Sequence, residues 1–177
     1  MEFKLKNGLI VEIREVFIND VQLVLDYMEI IHKQTKNLMR EPDEFIMTFD
    51  EEYKFIEKVV KSNDQAMFVV FHKGIVISTS GIHGSSLKRI KHRVSLGISI
   101  LEEYRGLGLG KKLMLLLIEK AENLGKLKID LDVREDNLNA IKLYESVGFK
   151  HEGIKIDGFF VDDKFINLIN MGLVLRR

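Results

Sequence analysis

The stretch Ser95-Leu96-Gly97-Ile98-Ser99-Ile100-Leu101-Glu102-Glu103-Tyr104-Arg105-Gly106-Leu107-Gly108-Leu109-Gly110-Lys111-Lys112 reads as the end of a strand, a glycine-rich turn and the start of a helix. Glycine tolerates positive φ and lets the backbone come close to a ligand. A helix N-terminus adds unpaired N–H groups and about half a positive charge. Together the two features form an anion site. Lys111 and Lys112 sharpen the expectation, because lysine in a first turn opposes the helix dipole by roughly 0.3–1 kcal/mol each when exposed. No Ser, Thr, Asp or Asn stands at the cap to offset them, whereas a bound phosphate reverses the sign of that cost. A plain surface turn with solvated lysines fits the glycines equally well.

Spacing rejects two common phosphate motifs. A P-loop needs G-x-x-x-x-G-K-[ST], but counting back from Gly110-Lys111 puts Arg105 at the first glycine, and Lys112 replaces the hydroxyl residue. The dinucleotide fingerprint G-x-G-x-x-G fails as well, because Gly106-x-Gly108 is followed by Lys111.

On the N-terminal side, Leu9 to Val16 reads as a strand, with Asn7-Gly8 as a hairpin-type turn signal. Val21, Val24, Leu25, Met28 and Ile31 form a helical stripe over Asp20–Lys33. A second helix spans Asp50–Lys61, with Asp50 placed to cap it or to complement its dipole. Strands follow at Ala66–His72, Gly74–Gly81 and Arg93–Leu101, with Lys73-Gly74 as a tight turn. On the C-terminal side, helices are expected over Gly110–Leu124 and Asn137–Val147, stopped by Gly125 and Gly148, with a strand at Lys128–Val133 between them. Phe149–Ile156 and Phe159–Leu175 contain the last strands. The whole is an α/β chain around one central mixed sheet flanked by helices.

The bulk numbers narrow the classes. A chain of 177 residues suits a single domain, residues 1–177. Lys and Arg number 27 and Asp and Glu 27, so no global field draws the chain to nucleic acid or anionic lipid. The absence of cysteine excludes disulfides, cysteine-ligated zinc and a thiol nucleophile. Neither a signal peptide nor a membrane span is expected: the first residues lack an apolar h-region, and the longest apolar run is Leu113–Ile118. A cytoplasmic protein is the expectation.

Arg105-x-x-Gly108-x-Gly110, with Tyr104 before it, resembles the pyrophosphate loop of the GNAT acetyltransferases. A second segment, Asn137-x-x-Ala140-x-x-Leu143-Tyr144-x-x-x-Gly148-Phe149, resembles the helix that follows in that family, in the same order and separation. The resemblance is clear from Gly97 to Gly153 and weaker through Leu9–Ser80. It implies a single mixed, mostly antiparallel sheet flanked by helices, with acetyl-CoA as cosubstrate and no metal. It also implies roles. The backbone of Ile98, Ser99 and Ile100 pairs with the pantetheine arm, and Arg105, Gly106, Leu107, Gly108, Leu109, Gly110 and Lys111 hold the pyrophosphate. Asn137 contacts the arm near the thioester. Tyr144 assists the leaving thiolate and also lines the cofactor site. A tyrosine on the stripe Ile141, Tyr144, Val147 also fits a core residue with its hydroxyl satisfied.

The resemblance is looser about the base. Asp132 stands twelve residues ahead of Tyr144, where some members carry a carboxylate. Alternation puts Asp130 and Asp132 opposite Ile129, Leu131 and Val133, which equally describes a solvated pair. Other members place a glutamate where this chain has Ser95. His83 and His92 are further candidates, and a water chain is another.

The implied activity is acetyl transfer to a primary amine by direct attack in a ternary complex. The acceptor would be an amino acid, another small amine or a protein N-terminus. A non-catalytic CoA-binding sensor on the same fold is the alternative, and it would have no need of an acid at Tyr144. The run Lys88-Arg89-Ile90-Lys91-His92-Arg93 lacks the aromatic rings of a nucleic-acid surface. The segment Lys33–Phe49 is expected to shape the acceptor pocket, and its mixed charges select no substrate sign. The apolar content of Phe159–Leu175 suggests a homodimer through a strand edge.

Overall fold

The computed structural model describes residues 1–175. Eight strands form one sheet in the order β1-β2-β3-β4-β5-β6-β8-β7. They are β1 (Glu2–Lys4), β2 (Ile10–Glu15), β3 (Gln65–His72), β4 (Ile75–Gly84), β5 (Arg93–Ile100), β6 (Lys128–Arg134), β7 (Lys150–Val161) and β8 (Lys164–Val174). The helices are α1 (Val21–Gln34), α2 (Phe49–Val60), α3 (Leu109–Asn123) and α4 (Leu138–Glu145). Among the described residues no helix is long and apolar enough to cross a membrane.

All strand neighbours are antiparallel except β5 and β6. That pair is parallel because the connection through α3 returns the chain in the same direction. It is also short: Arg93, Val94 and Ser95 pair with Lys128, Ile129 and Asp130, and the register ends there. β5 stays paired with β4 up to Ile100, and β6 stays paired with β8 up to Arg134. Past Ser95 and Asp130 the two strands therefore diverge and leave a wedge inside the sheet.

Helices cover both faces of the N-terminal half. Tyr27 of α1 reaches Ser99, and Phe55 of α2 lies 6.1 Å from His83, so α1 and α2 share one face. The start of α3 sits against Ile100, whose side chain alternates to the other face. β3 and β4 lie between these layers, so Met67–Phe71 and Val76–Ile82 are buried without a break. This explains the continuous apolar run Ala66–Phe71 of β3, as in a strand covered on both sides, whereas β4 carries the small residues Ser78, Thr79, Ser80 and Gly81 between its layers.

The expected elements are present with shifted ends. Thr48, not Asp50, caps α2: its hydroxyl accepts from Glu51 N, and Glu51 reaches back to the Thr48 N–H to complete a capping box. Asp50 complements the dipole from the first turn. α4 stops at Glu145 rather than Val147. The last hairpin turns at Asp162-Asp163, both at positive φ, and not at the Asp157-Gly158 gap between the expected strands. At Asp157-Gly158 the register slips between Lys155 and Phe159 and the strand continues. β1 is an addition to the sequence reading; it forms a hairpin with β2 around Gly8 at φ 89°.

Candidate active site

The chain leaves β5 through Leu101 and a short helical turn at Glu102–Tyr104. Tyr104 is buried, and its hydroxyl lies 2.8 Å from His72 Nδ1 on β3, which fixes the entry to the loop. Arg105 Nε donates to the Ile100 carbonyl at 2.8 Å, so this guanidinium ties the loop back to the strand end. Gly106 and Gly108 then take φ of 72° and 90°, values that strain any residue with a Cβ. α3 starts immediately afterwards with no side-chain cap, and its first turn carries Lys111 and Lys112 with no acid. The N–H groups of this turn remain available to an anion.

A Cβ at Gly108 would stand 3.7 Å from the Lys6 side chain, an ordinary contact. Its positive φ is what demands glycine. Gly110 does have a spatial constraint, since a Cβ would come 3.0 Å from Leu143 Cδ2 and 3.6 Å from Ile100 Cδ1. The missing side chain lets α4, the start of α3 and the end of β5 meet at one point.

That meeting positions Tyr144, the residue after Leu143. Its ring is buried beside Phe149, with centroids 6.0 Å apart. Burial alone pushes its hydroxyl up to about 12. Asn137 caps α4 by accepting from Ala140 N at 3.3 Å, so its oxygen orients the helix that carries Tyr144. The start of α3, the end of β5 and α4, the helix that carries Tyr144, are therefore brought together beside the wedge.

On the α1/α2 face of the wedge, Tyr27 donates to Ser99 Oγ at 2.8 Å, and Thr79 Oγ1 lies 3.3 Å from the same oxygen. Burial raises the Tyr27 hydroxyl to about 12, against the pull of its bonds to Ser99 and Thr79. Ser95 pairs in register with both His83 and Asp130, which places Asp130 and Asp132 on this face too. Asp132 is spoken for: it pairs with Lys155 at 2.5 Å and accepts from Asn170 Nδ2 at 3.0 Å. His83 stands nearer to Phe55, where loss of hydration and then the charge of Lys58 lower its pKa. His92 lies in the turn before β5, at the opposite end of that strand from the loop.

The α1–α2 connection spans the mouth of the wedge. Gln34 Oε1 accepts from Glu102 N at the β5 end. Two residues on, the Lys36 carbonyl accepts from Arg134 Nη1 at the β6 end, and Lys36 Nζ pairs with Asp162 in the β7–β8 turn at 2.6 Å. Tyr27, Gln34 and Arg134 are functional-site neighbours that local sequence patterns do not reveal, since each acts through contacts dozens of residues away. A hollow over Arg14 and Phe71 lies on the far edge of the sheet and takes no part in this arrangement.

The acetyltransferase (GNAT) family model matches residues 28–149, a span that holds the loop, the wedge and α4. This chain belongs to the GNAT acetyltransferase family. The GNAT acetyltransferase of Streptococcus pneumoniae has a similar structure, with a TM-score of 0.90 and 28% identity over 93% of this chain and 99% of that one. The yncA protein of Salmonella typhimurium, solved with its cofactor acetyl-CoA, shares the fold at a TM-score of 0.82 and 19% identity over 94% of each chain. In sequence, the spermine/spermidine N(1)-acetyltransferase of Bacillus subtilis (strain 168) is 45% identical over 53 residues. That match covers 29% of this GNAT chain and 35% of the relative.

Proposed function

We propose that the protein is a single-domain, cytoplasmic N-acetyltransferase that passes the acetyl group of acetyl-CoA to a primary amine in a ternary complex. One observation supports the reading: the uncapped, lysine-bearing loop and α4, which carries Tyr144, adjoin the same end of β5, where that strand has no β6 partner among the described residues. The loop residues Arg105–Lys111 take the pyrophosphate. The pantetheine arm lies along Ile98, Ser99 and Ile100, where backbone groups lack a neighbouring strand. Asn137 sets the helix and stands near the thioester end.

The amine nitrogen attacks the thioester carbonyl carbon, the C–S bond breaks, and sulfur leaves with the electron pair. Tyr144 faces that sulfur. A phenol pushed up to about 12 holds its proton more tightly than an alkyl thiol does, so it does not hand that proton fully to the leaving thiolate. Its contribution is a hydrogen bond donated to the growing negative charge, and the thiolate takes its proton from water afterwards. The nitrogen loses its proton toward the α1/α2 face, where Asp132 is the proposed acceptor. The Lys155 bond must open for it to serve. A loss of the rising limb of the pH–rate profile in Asp132→Asn supports that role; an unchanged profile removes Asp132 from the mechanism.

The acceptor class is a small amine, an amino acid or a protein N-terminus, admitted under the α1–α2 connection. Screening a panel of these amines for released CoA with a thiol reagent tests the whole reading. The protein has no cysteine and adds no background. Selective stabilisation by acetyl-CoA is also expected, by roughly 2.7 kcal/mol at 100 times its dissociation constant. An equal thermal shift with ATP or NAD would remove the cofactor assignment.

We also propose a homodimer built on β7. This strand is the sheet edge, and it exposes Ile154 by 65%, Ile156 by 79% and Phe160 by 59%. An exposed apolar edge of this length tends to pair. Light scattering at micromolar concentration checks it, and a monomer mass refutes it.

A further inference from the structure

The β1–β2 hairpin and the glycine-rich loop lie about a hundred residues apart in sequence, yet they are joined. Lys6 N donates to the Leu107 carbonyl at 3.1 Å. The Lys6 side chain then runs across Gly108: a Cβ built on that glycine would sit 3.7 Å from Lys6 Cε and 3.8 Å from Cγ. The stem thus occupies the groove that the glycine leaves, while the residue as a whole stays exposed. This is how lysine stems behave: the methylenes pack and the ammonium continues into water. Here the ammonium emerges beside the loop.

The electrostatic setting gives that placement a meaning. Lys6 joins Lys111 and Lys112 around one short loop, and none of the three is ion-paired among the described residues. Arg105 is close by, with its Nε on the Ile100 carbonyl. Elsewhere in the molecule lysines at packed positions find acids, as Lys120 does with Glu15 and Lys128 with Asp130 and Glu152. Unpaired like charges held together at an uncapped helix start repel one another and oppose the dipole. A polyphosphate ligand removes both penalties at once.

We propose that Lys6 is a cofactor-binding residue whose ammonium, delivered by the β1–β2 hairpin across Gly108, contacts the phosphates of coenzyme A. The proposal rests on the cofactor reading above and adds to the site a cation from outside the glycine-rich motif. It also gives the N-terminal hairpin a function beyond closing the sheet. Lysine acts here as a point charge on phosphate, so the effect should depend on charge and on salt.

The test is calorimetric titration of the full chain with three probes: coenzyme A, dephospho-CoA and pantetheine. Lys6→Ala keeps the backbone bond to Leu107, so its melting temperature without ligand should match the wild type. We expect it to bind coenzyme A about five- to tenfold more weakly, as suits one charged contact. Its affinity should also fall less steeply with salt. Lys6→Arg should recover most of the binding, and pantetheine, which has no phosphate, should not distinguish the variants. A loss that persists with dephospho-CoA assigns Lys6 to the pyrophosphate, and a loss confined to coenzyme A assigns it to the 3′-phosphate; either supports the proposal. Equal coenzyme A affinity in Lys6→Ala and wild type overturns it, as does an equal loss on pantetheine. If the wild type binds no coenzyme A, the cofactor reading itself has failed.

Discussion

β4 and β7 belong to the same sheet and live in opposite environments. β4 is enclosed on both faces from Val76 to Ile82, while β7 is exposed over most of its length. The sheet is covered on both faces where α1, α2 and α3 converge, and it is open on its α1/α2 face where β8 and β7 extend past α1 and α2. Stability should therefore concentrate in the first half. The bare half can present polar and charged groups to a substrate, because its α1/α2 face is held by ion pairs rather than by a core. The wedge between β5 and β6 lies on the boundary and draws on both.

The largest effect should appear in the covered half. Ile77 is fully buried, and Ile77→Ala should cost about 2–5 kcal/mol by chemical denaturation. A cost below about 1 kcal/mol would mean that β4 is not the enclosed strand described. At the boundary, Tyr144→Phe should lower kcat at least about tenfold and leave coenzyme affinity and melting temperature nearly unchanged, because the hydroxyl has no hydrogen-bond partner among the described residues. Full kcat in a regime limited by chemistry would make Tyr144 a core residue only.

Smaller effects should follow pH. Burial pushes the Asp20 carboxyl up, but the bonds from Arg14 and the Phe17 amide outweigh it, and the net shift is downward. A lowered folded-state pKa gives stability that is present above the unfolded value of 3.8 and is lost as pH falls through the folded one. The gap in melting temperature between wild type and Asp20→Asn should then be widest near neutrality and close below about pH 4. A gap that widens in acid would contradict the sign. The smallest effect belongs to the bare half. Lys155→Ala breaks an exposed ion pair and should change stability by about 0–1 kcal/mol. A larger loss would show that this face is more tightly held than its exposure indicates.

Much of this was legible in the sequence because it was local. Gly125 and Gly148 stop α3 and α4 at positive φ, and Lys73-Gly74 turns β3 into β4. The loop and α4 were readable from their motif spacing, and β3 and β4 as strands on either side of Lys73-Gly74. Missed features were short or non-local. β1 is three residues of charged sequence that become a strand only by pairing with β2. Asp162-Asp163 turns without a glycine, and the smoother signal at Asp157-Gly158 was only a slip in register. The contacts Tyr27–Ser99, Arg134–Lys36 and Lys6–Leu107 depend on how the sheet folds, so no window of sequence contains them.

The brevity of the β5–β6 pairing has a consequence for how the molecule opens. Three residue pairs join the strands that link the two halves, whereas β4–β5 and β6–β8 each have seven. Local unfolding follows the weakest line of contact. In the ligand-free protein the β6–β8–β7 unit should exchange its amide hydrogens as one cooperative block, ahead of β3 and β4. A cofactor bridging the wedge would slow that block and leave β3 and β4 little changed, so the proposed binding cleft doubles as the seam along which the fold comes apart.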